Sequence, residues 1–360
     1  MAITGNKGEW SEIYTLFKLL GEEKVYAGDQ NLNKIEALFY PIIRILRHEK
    51  EGDYNYCLEN HDVVIQTPDG MELLRMQAAE FLLKSENLLQ EIKEGTGAFS
   101  IPDVEEFMNS IYCRSLKAKS SDKTDIHIIL HDPRTKINSE IGFSIKSQLG
   151  GHSTLINASK ATNFIYKIVD HDFSKEEINK INSINTDNKV IARYNEIKKL
   201  GGKLIFDKIE SLVFENNLIM LDGNLPEIMA VMLVEEIDSG VSKFPELVKN
   251  LTERNPLNFD TTQNTPYYTY KLKHLLISSA LGMMPATPWN GRFDANGGYL
   301  VVKGNGDVLC YHIYDKNRFE DYLFTNAYLE RASTTRHGYA TIEELDKTFL
   351  FKLNLQVRLK

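Results

Sequence analysis

Apolar side chains recur every three or four residues in many parts of the chain. In residues 9–20, EWSEIYTLFKLL, they fall on one face of a helix, and this spacing predicts an amphipathic helix. The stretch at 150–168 predicts a glycine loop that leads into another helix. The helical pattern also predicts helices at residues 31–50, 71–94, 100–115, 174–184, 188–202, 226–240, 242–255 and 268–284.

The pattern changes near Lys117 from helical spacing to alternation. Residues 125–130 alternate as a strand does, residues 131–140 are rich in turn formers, and residues 141–148 alternate again. Together they predict a β-hairpin. A second hairpin is predicted at residues 297–314, around the turn Gly-Asn-Gly. We place domain boundaries near residues 110 and 240.

The composition is that of an ordinary globular protein. The 360 residues are 42% hydrophobic and 26% charged, enough for one large domain or about two or three small ones. No apolar run approaches the roughly 18 residues that span a bilayer, and the first residues lack the apolar core of a signal peptide, so we expect a cytoplasmic protein. The three cysteines are far apart and lack CxxC spacing, which favours reduced thiols over disulfides or a zinc site.

Charge is distributed unevenly along the chain. The net charge is -8, which argues against nonspecific binding to polyanions. Residues 112–167 nevertheless carry nine Lys or Arg and four acidic residues, a local excess of +5. This basic island indicates a local anionic partner, although a solvated basic face would give the same count.

Lys146 stands inside the apolar second strand of the first hairpin. Because side chains alternate along a strand, Ser144, Lys146 and Gln148 share one face and the apolar neighbours share the other. A charge is costly to bury, so we expect Lys146 to emerge on a polar face. Asp125 begins the preceding strand, and the hairpin brings it opposite Lys146.

An acid and a lysine on adjacent strands, within a basic region, resemble the active site of PD-(D/E)xK nucleases. Phosphodiester hydrolysis requires a hard cation on the scissile phosphate, held by a few carboxylates with water positions left open. A lysine near that cation can position the attacking water, and its pKa can be lowered there. The resemblance implies Mg²⁺ bound by Asp125, with the Ile145 carbonyl as a candidate further ligand and Lys146 orienting or activating water.

Ser144 departs from that motif, because an acid usually stands two residues before the lysine. Serine is a poor primary Mg²⁺ ligand, so we expect Ser144 to hold a metal-bound water or to substitute for the absent acid. Glu140 shares the strand face, but it lies six residues from Lys146, roughly 20 Å along a strand.

The missing acid has a candidate near the start of the chain. The segment KGEWSE resembles the KGxxxE start of the first helix in resolvase-like nucleases, where the glutamate reaches the metal. The resemblance implies Glu12 as a catalytic and metal-binding residue, with Glu9 as the alternative. A solvated acid at a helix start remains the other interpretation of Glu12.

Longer segments of the chain resemble the HpaII-type restriction endonucleases. The resemblance is carried by residues 5–20, 124–128, 142–168 and 279–315 and runs nearly end to end. It implies an α/β fold with a restriction-endonuclease-like core, a mixed central sheet flanked by helices, between a helical N-terminal part and an α+β C-terminal part. We assign residues 1–110 to the helical region that contributes the first core helix, 111–240 to the nuclease core and 241–360 to DNA recognition.

The same resemblance implies an activity and its partners. The family implies Mg²⁺-dependent cleavage of double-stranded DNA at C^CGG, leaving 5′ overhangs and 5′-phosphates, and sensitivity to cytosine methylation. It also implies a cognate DNA methyltransferase in the same restriction-modification system, without physical contact between the two. A palindromic target suits a homodimer on DNA, although some restriction enzymes act as monomers.

Arginine is the residue best suited to a CCGG target, because it binds O6 and N7 of guanine bidentately. We therefore select polar residues from the loop after the catalytic strand and from two later segments that carry arginines. Gly150 and Gly151 would allow close backbone approach to DNA. Each selected residue is also compatible with an ordinary surface loop. The candidates are Gln148, His152, Ser153, Thr154, Asn157, Lys160, Asn290, Arg292, Arg331, Arg336 and His337.

Two alternatives remain open at this point. One is a structure-specific nuclease of the same fold, such as a junction resolvase or a repair enzyme. The other is a DNA-binding protein with a degenerate active site, which Ser144 in place of an acid supports.

Overall fold

The computed structural model describes residues 2–117, 124–293 and 295–360. The chain forms two compact units, Met1–Ser153 with Phe293–Tyr322, and Thr154–Arg292 with Leu323–Lys360. These boundaries differ from those placed near residues 110 and 240, because strands from the first 110 residues share one sheet with the first predicted hairpin. The roles given to the three predicted ranges stay a prediction.

The bounds of the helices and strands of the described residues are as follows. The helices are α1 (Lys7–Glu22), α2 (Ala78–Glu94), α3 (Pro102–Ser110), α4 (Lys175–Ser183), α5 (Lys189–Lys199), α6 (Leu212–Leu221), α7 (Leu225–Ser239), α8 (Phe244–Arg254), α9 (Tyr267–Leu281), α10 (Lys316–Asn326) and α11 (Thr334–His337). The strands are β1 (Lys24–Gly28), β2 (Lys34–His48), β3 (Asp53–Glu59), β4 (Asp62–Gln66), β5 (Glu72–Gln77), β6 (Ile126–Asp132), β7 (Ile137–Ser147), β8 (Ser153–Ile156), β9 (Asn163–Val169), β10 (Lys203–Ile209), β11 (Gly298–Val302), β12 (Val308–His312), β13 (Ala327–Leu329), β14 (Ile342–Leu345), β15 (Thr348–Asn354) and β16 (Val357–Leu359).

The first unit is built on a mixed nine-stranded sheet in the order β1-β12-β11-β7-β6-β2-β3-β4-β5. The pairs β7–β11 and β1–β12 are parallel, and the other pairs are antiparallel. The long strand β2 also pairs with β1 along its first half. The helices α1, α2 and α3 bury their apolar residues in one core with the sheet. Near the start of α1, the hydroxyl of Ser11 lies 2.7 Å from that of Ser147 in β7.

The second unit contains two smaller sheets. One has four strands in the order β10-β9-β15-β14, and the other has three in the order β13-β16-β8. In α7 the buried positions lie all around the helix, as expected for a helix in the interior. No single helix of the described residues is long and apolar enough to cross a membrane. The helices α6 and α7, which are bent against each other, have the length and composition of a membrane span only when they are counted together.

Most local predictions are confirmed. The predicted helices correspond to α1, α3, α4, α5, α7, α8 and α9, and both hairpins form, as β6–β7 and as β11–β12. The three cysteines are free thiols, as expected. The mixed α/β class is also confirmed.

The helical N-terminal part is wrong, because residues 1–110 contain five strands beside three helices. Residues 34–48 form β2, not a helix. Their isoleucines and aromatic residues favour a strand, and Pro41 disfavours a helix interior. Residues 72–77 form the edge strand β5 before α2 begins, because pairing with β4 overrides their helical pattern.

The helix predicted within 150–168 is also wrong. The segment forms β8, a single 3₁₀ turn at Lys160–Thr162 and then β9. Strand β9 lies between β10 and β15 in its sheet. Most residues of its run NFIYKIV are buried there. Short apolar runs of this kind fit either a helix or a strand when only the sequence is considered.

Candidate active site

Asp125 immediately precedes β6, and its carboxylate is held against the facing strand β7. Its backbone N–H donates to the carbonyl of Phe143 at 2.8 Å. Its Oδ2 accepts from the backbone N–H of Ile145 at 2.7 Å and from the hydroxyl of Ser144 at 3.1 Å. The hairpin therefore brings Asp125 beside the motif that contains Lys146.

Lys146 is connected to Asp125 through Ser144. The Lys146 amine donates to Ser144 Oγ at 2.9 Å and lies 4.8 Å from the centre of the Tyr299 ring. Burial lowers the pKa of Lys146, while the charges of Asp125 and Glu12 raise it by less. Ser144 and Lys146 share a side of β7 as expected, but that side is not a solvated polar face, because Tyr299 of the neighbouring strand covers it.

Glu12 lies in α1, one turn after the helix begins. Burial and then the negative charge of Asp125 raise the pKa of Glu12 to about 8. Lys117 and Arg47 lower it by less. The charge of Asp125 acts on Glu12, and the hydroxyls of Ser11 in α1 and Ser147 in β7 lie 2.7 Å apart, so Glu12 is a candidate member of the same site.

Glu9, the alternative to Glu12, has a structural partner. Asn6 caps the N-terminus of α1, and the Glu9 carboxylate accepts from the backbone N–H of Asn6 at 2.9 Å. This reciprocal arrangement is a capping box. Lys117 also forms an ion pair with Glu9 at 3.6 Å. The Glu9 side chain therefore stabilises the start of the helix that carries Glu12.

The donor set of this site suits a hard divalent cation. Burial and the charge of Asp125 raise the pKa of Glu12, and a cation held by the two carboxylates would favour the ionised form of Glu12. No cluster of three or more His, Cys, Asp or Glu side chains with metal-binding geometry occurs in residues 2–117, 124–293 and 295–360. A cation held by two carboxylates would keep positions for water and for a phosphate oxygen.

A buried ion pair beside the site was missed in the sequence. Arg47 and Glu49 are 5% and 6% exposed, and Arg47 Nε donates to Glu49 at 2.6 Å. Glu49 also accepts from the backbone N–H of Arg114 and from the hydroxyl of Ser115. The pair ties the end of β2 to the segment that leads towards Asp125. This pair was not found in the sequence because a helix was predicted over residues 31–50, whereas Arg47 lies in strand β2.

The first group of candidate DNA contacts follows β7 directly. His152, Asn157 and Lys160 are exposed, whereas Gln148, Ser153 and Thr154 are half-buried. The Thr154 hydroxyl accepts from Arg358 at 3.0 Å. A Cβ at Gly151 would meet nothing within 4 Å, and one at Gly150 would make only an ordinary contact. The expectation that these two glycines permit close approach therefore has no support from their surroundings within the chain.

The second group lies in the second unit. Asn290, Arg292 and Arg336 are exposed and His337 is half-buried. Arg331 is already engaged, because its guanidinium donates to both oxygens of Glu236 at 2.5 and 3.1 Å. It also borders a cavity of about 370 Å³. Three charged residues of the predicted basic island, Lys119, Asp122 and Lys123, lie outside the described residues.

Two comparisons with known proteins match nearly the whole chain to the same family. The model of the HpaII restriction endonuclease family matches residues 6–359. The type II restriction enzyme HpaII of Haemophilus parainfluenzae is 45% identical over 357 residues, 99% of this chain and 98% of that enzyme. No solved structure matches the chain.

These matches define a site-specific deoxyribonuclease of the type II restriction enzyme class, whose substrate is double-stranded DNA. Such enzymes generally use divalent metal ions. Within this class, the chain belongs to the HpaII restriction endonuclease family. This assignment favours the restriction endonuclease over a structure-specific nuclease and over a DNA-binding protein with a degenerate site.

Proposed function

We propose that this enzyme cleaves both strands of DNA at CCGG, after the first cytosine, in a reaction that requires Mg²⁺. The target and the 5′ overhangs rest on the family resemblance. The observation that supports the catalytic assignment is the group formed by Asp125, Ser144, Lys146 and the desolvated Glu12. We also propose that this group sits on a restriction-endonuclease-like core.

In this proposal Asp125 and Glu12 hold the cation. When bound, Mg²⁺ would neutralise charge on the scissile phosphate and favour the ionised form of a water. The backbone N–H of Ile145 donates to one Asp125 oxygen. This hydrogen bond fixes the orientation of the carboxylate and therefore of its other oxygen. Cation binding requires Glu12 in its ionised form, which its raised pKa disfavours in the metal-free protein.

Lys146 would position the attacking water. Burial lowers its pKa, which makes the amine a better acceptor for a proton than an exposed lysine. Ser144 accepts from the amine and donates to Asp125, so it connects the two functional groups where other nucleases place a second acid. Ser144 thus acts as an orienting residue in this proposal.

The remaining assignments concern partners. We propose that the eleven polar residues named above contact DNA, which alanine substitution and equilibrium binding to a CCGG duplex would test one residue at a time. A two-fold target suits a homodimer on DNA, and a cognate methyltransferase would protect the host's own sites. Because the proposed substrate is DNA inside the host cell, we propose that the enzyme acts in the cytoplasm.

Digestion of a sequenced plasmid with Mg²⁺, followed by mapping of the ends, tests the proposal. Discrete fragments with 5′-phosphates at every CCGG are expected, and EDTA should stop the reaction. Lys146→Ala should lower the cleavage rate roughly 1000-fold while affinity for a CCGG duplex stays within about twofold. Lys249→Ala, at an exposed position of α8, serves as the control and should cleave normally. Native cleavage by Lys146→Ala would contradict the assignment of the site.

A further inference from the structure

Tyr299 lies on β11, the parallel neighbour of the strand that carries Lys146. It pairs in register with Ser144 and is 2% exposed. Its ring packs edge-on against Phe319 of α10, with 5.2 Å between the ring centres. Strand pairing on one side and this aromatic contact on the other hold the Tyr299 ring in one orientation.

The face of this ring covers the Lys146 amine. The distance from Lys146 Nζ to the ring centre is 4.8 Å, within the range of a cation–π interaction. The amine also donates a hydrogen bond to Ser144 Oγ at 2.9 Å. The ring and the hydroxyl therefore restrict the amine from two directions, and the flexible four-carbon stem of lysine makes such restriction necessary.

We infer that Tyr299 is a positioning residue of the active site, which fixes the Lys146 amine through the face of its ring. The inference rests on the proposed role of Lys146. Tyr299 reacts with nothing itself. Its ring limits the positions that the amine can occupy. This limit matters because displacing a catalytic group by about 1 Å can greatly reduce the rate.

Substitutions at Tyr299 can distinguish whether the ring or the phenolic hydroxyl positions the Lys146 amine. The contact to Lys146 is made by the ring face, which phenylalanine retains and methionine does not. Methionine fills most of the same space with a flexible apolar chain. The pair Tyr299→Phe and Tyr299→Met therefore distinguishes loss of the hydroxyl from loss of the aromatic face.

The test is steady-state cleavage of a CCGG duplex in Mg²⁺, with folding monitored by thermal unfolding. Tyr299→Phe should keep kcat within about twofold of the native value. Tyr299→Met should lower kcat about 10-fold or more with KM unchanged, because Tyr299 is not among the residues proposed to contact the duplex. Equal loss in the two variants would assign the effect to the hydroxyl and overturn the inference, and so would native turnover by Tyr299→Met.

A matched control separates positioning from a general loss of packing. Tyr166 is a tyrosine on β9 that is 2% exposed, as Tyr299 is, and its ring packs edge-on against Phe206 with 6.0 Å between the ring centres. Tyr166→Met removes a comparable ring from a different sheet. A kcat loss in Tyr166→Met equal to that in Tyr299→Met, at equal thermal stability, would overturn the inference.

Lys146→Ala, assayed in parallel, keeps this test distinct from the test of the proposed function. If Lys146→Ala cleaves normally, the proposed role of Lys146 fails. If Lys146→Ala is inactive and Tyr299→Met is fully active, only the positioning role fails.

Discussion

Two glutamates of one helix illustrate how position decides the role of a residue. Glu9 and Glu12 are three residues apart in α1. The Glu9 carboxylate completes the capping box with Asn6, whereas the Glu12 carboxylate is desolvated and opposed by Asp125. A carboxylate at a helix start is favoured in its ionised form, whereas burial and the charge of Asp125 favour the protonated form of Glu12.

Glu12→Gln and Glu9→Gln should therefore have different effects. Glu12→Gln removes a proposed metal ligand and should reduce cleavage roughly 100-fold or more, with weaker Mg²⁺ binding by calorimetry. Glutamine can still serve in a capping box, so Glu9→Gln should cleave normally and lose less than about 1 kcal/mol of stability. Loss of cleavage in Glu9→Gln alone would assign the metal to Glu9.

At the scale of elements, the site depends on the close approach of β6, β7 and β11. Gly142 of β7 donates its N–H to Asn296 and accepts from the N–H of Gly297. A Cβ at Gly142 would stand 2.5 Å from a methyl carbon of Thr124, the residue before Asp125. The missing side chain of Gly142 thus allows the three strands to meet beside the carboxylate.

Gly142→Ala should displace the segment that carries Asp125. We expect a loss of about 1–3 kcal/mol in the free energy of unfolding and a fall in kcat larger than the unfolded fraction explains. Urea unfolding and cleavage assays on the same preparation measure both quantities. Gly223→Ala, where a Cβ meets nothing within 4 Å, is the control. If the two variants behave alike, the crowding argument is wrong.

The elements also explain what the sequence could and could not predict. The β6–β7 hairpin and the relation of Asp125 to Lys146 are local, so alternation and turn residues were sufficient. Glu12 came from a resemblance at a helix start. Tyr299 was not anticipated, because the pairing of β7 with β11 joins residues such as Gly142 and Asn296, which are 154 positions apart. Arg47 was missed because tertiary pairing made a strand of a segment with helical spacing.

At the scale of the whole molecule, a buried histidine links stability to pH. His312 is 5% exposed, and its Nδ1 accepts from the backbone N–H of Tyr314 at 3.0 Å. Burial lowers the pKa of His312 to about 4; the charge of Arg134 acts in the same direction, and those of Asp132 and Asp315 oppose it. The unfolded chain binds this proton near pH 6.5, so it takes up the proton first as the pH falls.

The contribution of His312 is therefore complete above about pH 6.5 and is lost as the pH falls towards about 4. Over that range the loss should reach about 3 kcal/mol. His312→Asn keeps an acceptor for Tyr314 without titrating, so it should flatten the dependence of unfolding free energy on pH between 7 and 5. Chemical denaturation at each pH measures the effect.

His61→Asn is the control for this titration. His61 is exposed, and its hydrogen bond to Glu23 raises its pKa, so its contribution to stability has the opposite sign. Removing it should leave the pH dependence as steep as in the native protein or steeper. An unchanged slope in His312→Asn would show that other groups control the acid sensitivity.

The position of β11 between β7 and β12 has a consequence for the order of synthesis. A ribosome makes Asp125 and Lys146 early, but the positions between β7 and β1 stay empty until β11 and β12 have emerged. We expect a chain arrested before Gly298 to lack both β11 and the ring that covers Lys146. We expect such a chain to lack cleavage activity, so that an unfinished chain would leave the DNA of its own cell intact.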